Sequence, residues 1–487
     1  LPIPKTRIHA AVLAAALLAP AALPAQDAWT VRAPAPAGLN RADAQATTLR
    51  HLQNLIAINT ENPPGNELRT AMYFDSVLRA VPGVETRILR VPEDSMRANF
   101  VARLRAGNPR QKPVLVMGHM DVVGADTTKW ETDAFTPTIR DGYLYGRGAI
   151  DDKGMLAATL TALVQLSAQR SRLDRDIIFF ATAGEEGGPA VGVDWVIEHH
   201  RDLIGDAEFA LNEGGRIRVD NGQIRTVNIQ TTEKVYYNVV ATARGTSGHG
   251  SIPLPDNALA ALARAVNRVH EWRAPVRLIE TTRIYFQRLA EIERDAEMKA
   301  AMQQLSASGA SQQQIDAAAA VLSRDPLHNA VLRAGASLTL LNGGFRSNVI
   351  PSEGKATFNV RVVPGEDITE LVRMMNAADG EEQVELALEG TPAQAPPPSP
   401  VSTELFQAME SSARTMAPSA TVLPFMSTGA TDGAALRAIG IPTYGILPMP
   451  LPMEDELRMH GDNERVPVPA VGWATEYIYR VLRQVAS

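Results

Sequence analysis

At 487 residues the chain is too long for one ordinary hydrophobic core, so two domains are expected. Hydrophobic residues make up 45% and charged residues 21%, the composition of a soluble globular protein. A formal net charge of −7 supplies no basic surface, which excludes nucleic acid as a bulk partner, and the absence of cysteine excludes disulfides and thiolate metal ligands.

Lys5 and Arg7 precede an apolar run from Ala10 to Leu18, and Ala- and Pro-rich residues follow up to Ala25-Gln26. A charged start, an apolar centre and a small-residue exit predict a secretory signal peptide over residues 1–25. The run is short for a bilayer span of ~20 residues, so no stable membrane span is expected once it is removed. A periplasmic or secreted destination follows, and a chain without cysteine is compatible with it.

Apolar residues at helical spacing then predict a helix over 43–57. Strand-like runs at 114–117, 177–182 and 208–211 alternate with helical ones at 154–168 and 192–200. That rhythm predicts an α/β fold, a mostly parallel sheet flanked by helices. From about Thr232 the texture changes: VYYNVVATAR, SLTLLNGG and GKATFNVRVV read as strands around a helix over 257–273. An inserted α+β lid over 232–394 is expected, with a helical elaboration at 281–332 broken by Asp325-Pro326. The proline-dense segment 390–400 reads as a linker. Beyond it come a helix at 403–415, a strand at 442–447 and a closing helix at 470–485. The catalytic domain is therefore expected in two parts, 26–231 and 395–487.

Several short motifs near the predicted strand ends carry metal-ligating residue types. They are His119 in VLVMGHMDVV, Asp151 in GRGAIDDKGM, Glu185 and Glu186 in FFATAGEEGG, Glu213 in FALNEGG, and His460 in RMHGDNERV. Alone, each has an ordinary reading: Asp151-Asp152 would cap a helix, and Glu185-Glu186 would be a solvated turn. In an open parallel sheet, however, ligands gather outside the carboxyl ends of the strands. Convergence at one edge therefore predicts a two-metal site of imidazole and carboxylate, with one carboxylate to spare as a base. A bimetallic phosphatase would want cationic groups around a phosphate, and no Gly-rich cradle or Arg cluster accompanies these motifs.

These motifs, with GATDGAALRAIGIPTYGI and the ending HGDNERV, resemble the M20 metallopeptidase family over residues 48–482. That family includes aminoacylases, succinyl-diaminopimelate desuccinylases and glutamate carboxypeptidases; this chain looks most like its Gly-X carboxypeptidase and N-acyl-amino-acid hydrolase branch. The resemblance implies two Zn2+ per subunit, with Co2+ or Mn2+ as alternatives. Asp151 would bridge them, His119 and Glu213 would complete one site, and Glu186 and His460 the other. Asp121 would accept the second imidazole N–H of His119 and fix its tautomer. The peptide between Asp151 and Asp152 would be cis. Glu185 would act as general base toward a water between the metals. In the lid, His249 would polarise the scissile carbonyl, reaching the neighbouring subunit's site in a homodimer formed through the lid. Asn348, Arg361 and the Gly429 N–H would hold the substrate's carboxylate. Glu at position 213, where the family's aminopeptidases and dipeptidases commonly have Asp, matches its carboxypeptidases and aminoacylases. The implied activity is that of an exported amide-bond hydrolase releasing a C-terminal amino acid from a small peptide or N-acyl amino acid. A dipeptidase or aminopeptidase, or a non-catalytic peptide-binding homologue, is the alternative.

Overall fold

A computed structural model describes residues 28–187, 191–392 and 395–487, so the expected signal peptide lies outside the described residues. Among those described, no helix is long and apolar enough to cross a membrane.

A ten-stranded sheet dominates the molecule. Its centre is four strands in the order Ile177–Thr182, Val114–His119, Phe209–Asn212 and Thr443–Gly445, all mutually parallel. Antiparallel strands Val84–Arg90 and Ala98–Leu104 extend one side. On the other side lie Gln223–Glu233, Arg216–Asp220 and Pro450–Pro452, with Thr421–Ser427 pairing alongside Gln223–Glu233. The central strands are apolar at nearly every position because both faces are covered. Val114, Val116, Ile177 and Phe179 pack under a helical layer that includes Lys153–Ser167, Glu404–Met416 and Val468–Val485. Leu115, Met117, Ile178 and Phe180 face the opposite layer, against Val193 and Val196 of Val193–His199 and Leu436 of Gly433–Ala438. The strand expected to end at Met117 continues to His119, which pairs with Thr182 as the last rung of the ladder.

A second sheet has the antiparallel order Gly335–Gly343, Glu353–Val362, Val235–Arg244 and Val384–Leu388. Helices Ala258–Glu271 and Ile368–Asp379 cover one face, where Val239, Ala241 and Ala243 alternate inward. The alternate positions, Tyr236 opposite Arg361 and Asn238 opposite Asn359, lie on the other face.

The segment expected as an elaboration of the lid forms four helices, Glu280–Ile292, Ala296–Ser306, Gln312–Leu322 and Pro326–Leu332. They pack on the large sheet instead: Phe286, Met302, Leu305 and Leu322 share a core with Leu423, Phe425 and Met426 of Thr421–Ser427. The break expected at Asp325-Pro326 falls between Gln312–Leu322 and Pro326–Leu332, and the same pair starts the second of these helices. The Asp325 side chain accepts the His328 N–H at 2.8 Å, and Pro326 stands at the first turn, where its missing donor costs nothing. The linker contains no helix or strand among its described residues, yet it is pinned at Ser399. That hydroxyl donates to the Thr443 carbonyl at 2.8 Å and accepts the Thr443 N–H at 2.8 Å.

Candidate metal centre

His119 is 2% exposed at the end of its strand. Its Nε2 lies 2.9 Å from Asp151 Oδ1, and its Nδ1 lies 2.9 Å from the Asp121 main-chain oxygen. The other Asp151 oxygen is 3.1 Å from His460 Nε2, which also sits 3.0 Å from Glu186 Oε1. A continuous line of contacts thus runs from His119 through Asp151 and His460 to Glu186. Ligand atoms of His119, Asp151 and Glu186 all lie within 4.8 Å of one another, close enough to hold one cation. Glu213, directly after Phe209–Asn212, is buried, and its charge is felt by Asp151 and His119.

Burial dominates the electrostatics. Desolvation, reinforced by Asp151, pushes Glu213 up to about 8. Desolvation, with Glu213, Asp432 and Asp151 nearby, pushes Glu185 up to about 10. Asp151 is also buried, but the two imidazoles beside it hold it well below the carboxylate range. His460 in turn is held up at about 10 by hydrogen bonds to Asp151 and Glu186. So many buried carboxyls around two imidazoles require positive charge to ionise together, and divalent cations are the usual supply. The donors are oxygen and imidazole nitrogen without thiolate, which suits Zn2+, Co2+ or Mn2+. The residues present fit a cation site.

Further contacts hold the cluster in place. Asp121 meets the second imidazole nitrogen of His119 with its main-chain oxygen, while its nearer carboxylate oxygen stands 3.7 Å from Nδ1. Asp121 still sets the tautomer, through its backbone carbonyl. Its carboxylate is turned to the next motif instead, accepting the Glu185 N–H at 3.2 Å, the Glu186 N–H at 3.0 Å and the Asn62 amide at 2.8 Å. The Asp151–Asp152 peptide is cis, as the resemblance implied. A Cβ at Gly118 would come within 2.1 Å of Asp152 Oδ2, so only glycine lets this loop seat against the strand.

Sequence reasoning missed three residues here. Glu464, in HGDNERV, is buried and accepts N–H groups from Gly148 at 3.0 Å, Ile150 at 2.6 Å and Asp151 at 3.3 Å. It also pairs with buried Arg147 at 2.8 Å, and Arg147 donates to the Gly461 carbonyl at 2.8 Å. The motifs bearing Asp151 and His460 are thereby clamped together. Asn62, in NPPG, anchors Asp121. Asp432 accepts from Thr182 Oγ1 at 2.7 Å, and burial pushes its carboxyl up to about 7 beside His119 and Asp121. The only sequence signal for these three was a polar residue inside a Gly- or Pro-rich motif.

The residues expected from the lid, and Gly429, make their described contacts outside this cluster. His249 is exposed on the short strand Gly248–His249, paired with Val349–Ile350, with Nδ1 2.8 Å from Ser251 Oγ. Asn348 is exposed beside it, its carbonyl accepting the Gly250 N–H at 2.8 Å. Arg361 donates from Nε to Asn359 Oδ1 at 2.9 Å and lies over the Tyr236 ring. The Gly429 N–H donates to Ser427 Oγ at 3.1 Å.

A family model described as Peptidase family M20/M25/M40 matches residues 115–484. The chain belongs to this family. It is 28% identical over 390 residues to the human N-fatty-acyl-amino acid synthase/hydrolase PM20D1, covering 78% of this chain and 75% of that protein. It is 29% identical over 381 residues to the probable carboxypeptidase S-like 2 of Dictyostelium discoideum, covering 76% and 71%. In fold it matches the M20 family metallo-carboxypeptidase Sso-CP2 of Sulfolobus solfataricus, with a TM-score of 0.66 at 18% identity over 90% of this chain and 99% of that one. As a member of the M20/M25/M40 family, the protein is a metal-dependent hydrolase, and its His, Asp and Glu cluster is placed where the sheet delivers ligands.

Proposed function

We propose that the protein is an exported di-zinc amidohydrolase that releases a C-terminal amino acid from an N-acyl amino acid or small peptide. The observation that carries this reading is the meeting of two imidazoles with Asp151 and Glu186, with Glu213 buried at the end of the strand next to that of His119. In this reading His119 and Glu213 would hold one cation and Glu186 and His460 the other, with Asp151 available to both. Bound cations would supply Lewis acidity at the amide carbonyl and lower the proton affinity of nearby water.

The chain's own groups do the rest. Glu185 has no described side-chain bond to a ligand, while its N–H is tied to Asp121, so its carboxyl is free to move a proton. Its high proton affinity suits it to accept one from water and return it to the leaving amine, with cations bringing that affinity down toward neutrality. Arg361 and the loop at Gly429 would hold the substrate's carboxylate. The edge strand Gly335–Gly343 leaves Leu340 57% and Leu341 62% exposed, which supports a homodimer through the small sheet. In that arrangement exposed His249 would serve the neighbouring subunit. The names of the human and Dictyostelium relatives, one an acyl-amino-acid hydrolase and one carboxypeptidase-like, agree with this substrate class. The charged start and apolar run within residues 1–25 support export.

The test is zinc content with and without chelator, alongside hydrolysis of N-acetyl amino acids, dipeptides and a phosphate ester. Chelator-sensitive release of the amino acid is expected, with the phosphate ester untouched. Turnover of amides that survives complete metal removal would refute the reading.

A further inference from the structure

A cavity of about 410 Å3 opens between the first strand of the small sheet and the loop that follows Thr421–Ser427 in the large one. Val235, Tyr236, Tyr237, Pro396, Ala430 and Ala434 give it apolar walls. The three charged groups on its lining are already engaged. Glu233 accepts the Thr431 N–H at 3.0 Å and the Thr431 hydroxyl at 2.8 Å and pairs with Arg437 at 3.1 Å. Lys234 Nζ donates to the Arg333 carbonyl at 2.6 Å, and Glu389 accepts from the Asn238 amide at 3.0 Å. An apolar group entering here would strand no charge, and the volume falls within the roughly 300–1,000 Å3 of small-molecule sites.

One feature ties the cavity to the cation site, and a second ties it to a group that can hold a carboxylate. Thr431, on its wall, is followed by Asp432, which is bonded to Thr182 and acts on the charge of Glu185. Tyr236, on another wall, lies under the Arg361 guanidinium, whose Cζ is 5.2 Å from the ring centroid. The one described hydrogen bond of that guanidinium is through Nε, so its two outer nitrogens stand ready to take a carboxylate in a fork. A carboxylate held there would place the Cα that bears it beside the cavity's aromatic wall.

We infer that this cavity is the side-chain pocket for the amino acid carrying the substrate's free carboxylate, and that it takes a large aliphatic or aromatic side chain. The inference rests on the amidohydrolase reading and goes beyond it by naming the leaving residue.

The test is a matrix of substrates, the N-acetyl and N-octanoyl derivatives of alanine, leucine and phenylalanine, against wild type, Ala434→Phe and Ala430→Leu. Wild type should favour leucine and phenylalanine over alanine by at least about tenfold in kcat/KM, in line with roughly 10- to 200-fold for small changes in a hydrophobic pocket. Both variants fill the cavity and should reduce the phenylalanine-to-alanine ratio at least tenfold in both acyl series. Ala430 is exposed, so its variant keeps the test alive if Ala434→Phe does not fold. No preference in wild type, an equal loss on all three amino acids, or a loss that follows acyl length would each overturn the inference. Should wild type hydrolyse none of these amides, the amidohydrolase reading fails by itself. The pocket is then judged by calorimetric binding of N-acetyl-phenylalanine against N-acetyl-alanine: tighter phenylalanine binding, lost in the filled variants, supports it, and equal binding overturns it.

Discussion

At the rim of the large sheet each buried group in the line from His119 to Asp151 is fastened by a second contact, whereas His249 stands exposed in a separate ribbon of two two-residue strands and Asn348 stands exposed just before its second strand. The rim is over-determined. His119 is fixed by the Asp121 carbonyl, Asp151 by Glu464, and the Glu185-Glu186 turn by the Asp121 carboxylate. A site that must hold cations needs this fixity, because ligands free to relax would lose both affinity and geometry. The ribbon bearing His249 makes no such demand of its own fold. Its side chains are exposed and bonded only locally, so the fixity of the molecule is concentrated at the rim.

The sharpest way to break this comparison is Glu185→Gln. Turnover should fall by about 10²–10⁴, the usual worth of a general base, while metal analysis still finds the wild-type stoichiometry. A variant with ordinary turnover would remove Glu185 from the chemistry. His249→Ala comes next, with a loss of roughly 10²–10³ in kcat if it supplies an oxyanion donor. Because His249 is exposed and bonds only locally, thermal stability should stay at the wild-type value. Mixing Glu185→Gln and His249→Ala subunits should restore part of the activity if the histidine serves its neighbour. Mixed subunits as inactive as the parents would confine each site to one chain.

How much of this was legible in the chain differs between the same regions. Fully apolar runs such as IIFFAT read correctly as strands because burial on both faces leaves no room for polar alternation. His119, Glu186 and His460 stood out because few residue types bind metal and each sat beside a strand end or a Gly turn. The contacts that fasten them did not stand out. Glu464 in HGDNERV looks like a solvated charge until the fold lays it against three N–H groups and Arg147. That Asp121 would meet His119 was legible, but not that it would do so with its carbonyl and turn its carboxylate to the Glu185-Glu186 turn. The helices over 280–332 showed an apolar face without showing what it would meet, and the partner proved to be Leu423, Phe425 and Met426. Periodicity reports that a face is buried, and only tertiary structure reports against what.

A smaller but still large effect is expected at that clamp. Glu464→Ala would leave Arg147 buried without its carboxylate and release three N–H groups, a change of the kind that costs about 3–5 kcal/mol. Chelator competition should show cation affinity weaker by about 10–100-fold, since Asp151 loses its anchor. Wild-type affinity in a folded variant would show that the rim is less interlocked than its contacts suggest.

The mildest prediction concerns pH. Without cations, burial raises Glu213 to about 8 and Asp432 to about 7, above the ~4.3 and ~3.9 of unfolded carboxyls. Each is favoured protonated in the fold, so its contribution is complete below the unfolded value and is lost as pH climbs through the folded one. His460, held at about 10 by Asp151 and Glu186, runs the same way above ~6.5. Asp151 runs the opposite way, but its contribution fades only below ~4. Chelated protein should therefore melt lower at pH 8 than at pH 5, by no more than the roughly 2–4 °C per kcal/mol of a 150–250-residue domain. Cation binding displaces these protons and tightens as pH rises, so the gap between loaded and chelated Tm should widen over the same range. His249→Ala should leave that widening intact, because its ribbon lies outside the cluster, while Glu464→Ala should shrink it. A gap independent of pH in the wild-type protein would mean that Glu213 and His460 do not face the cations, and the contrast between a charged, locked rim and a solvated ribbon would lose its chemical basis.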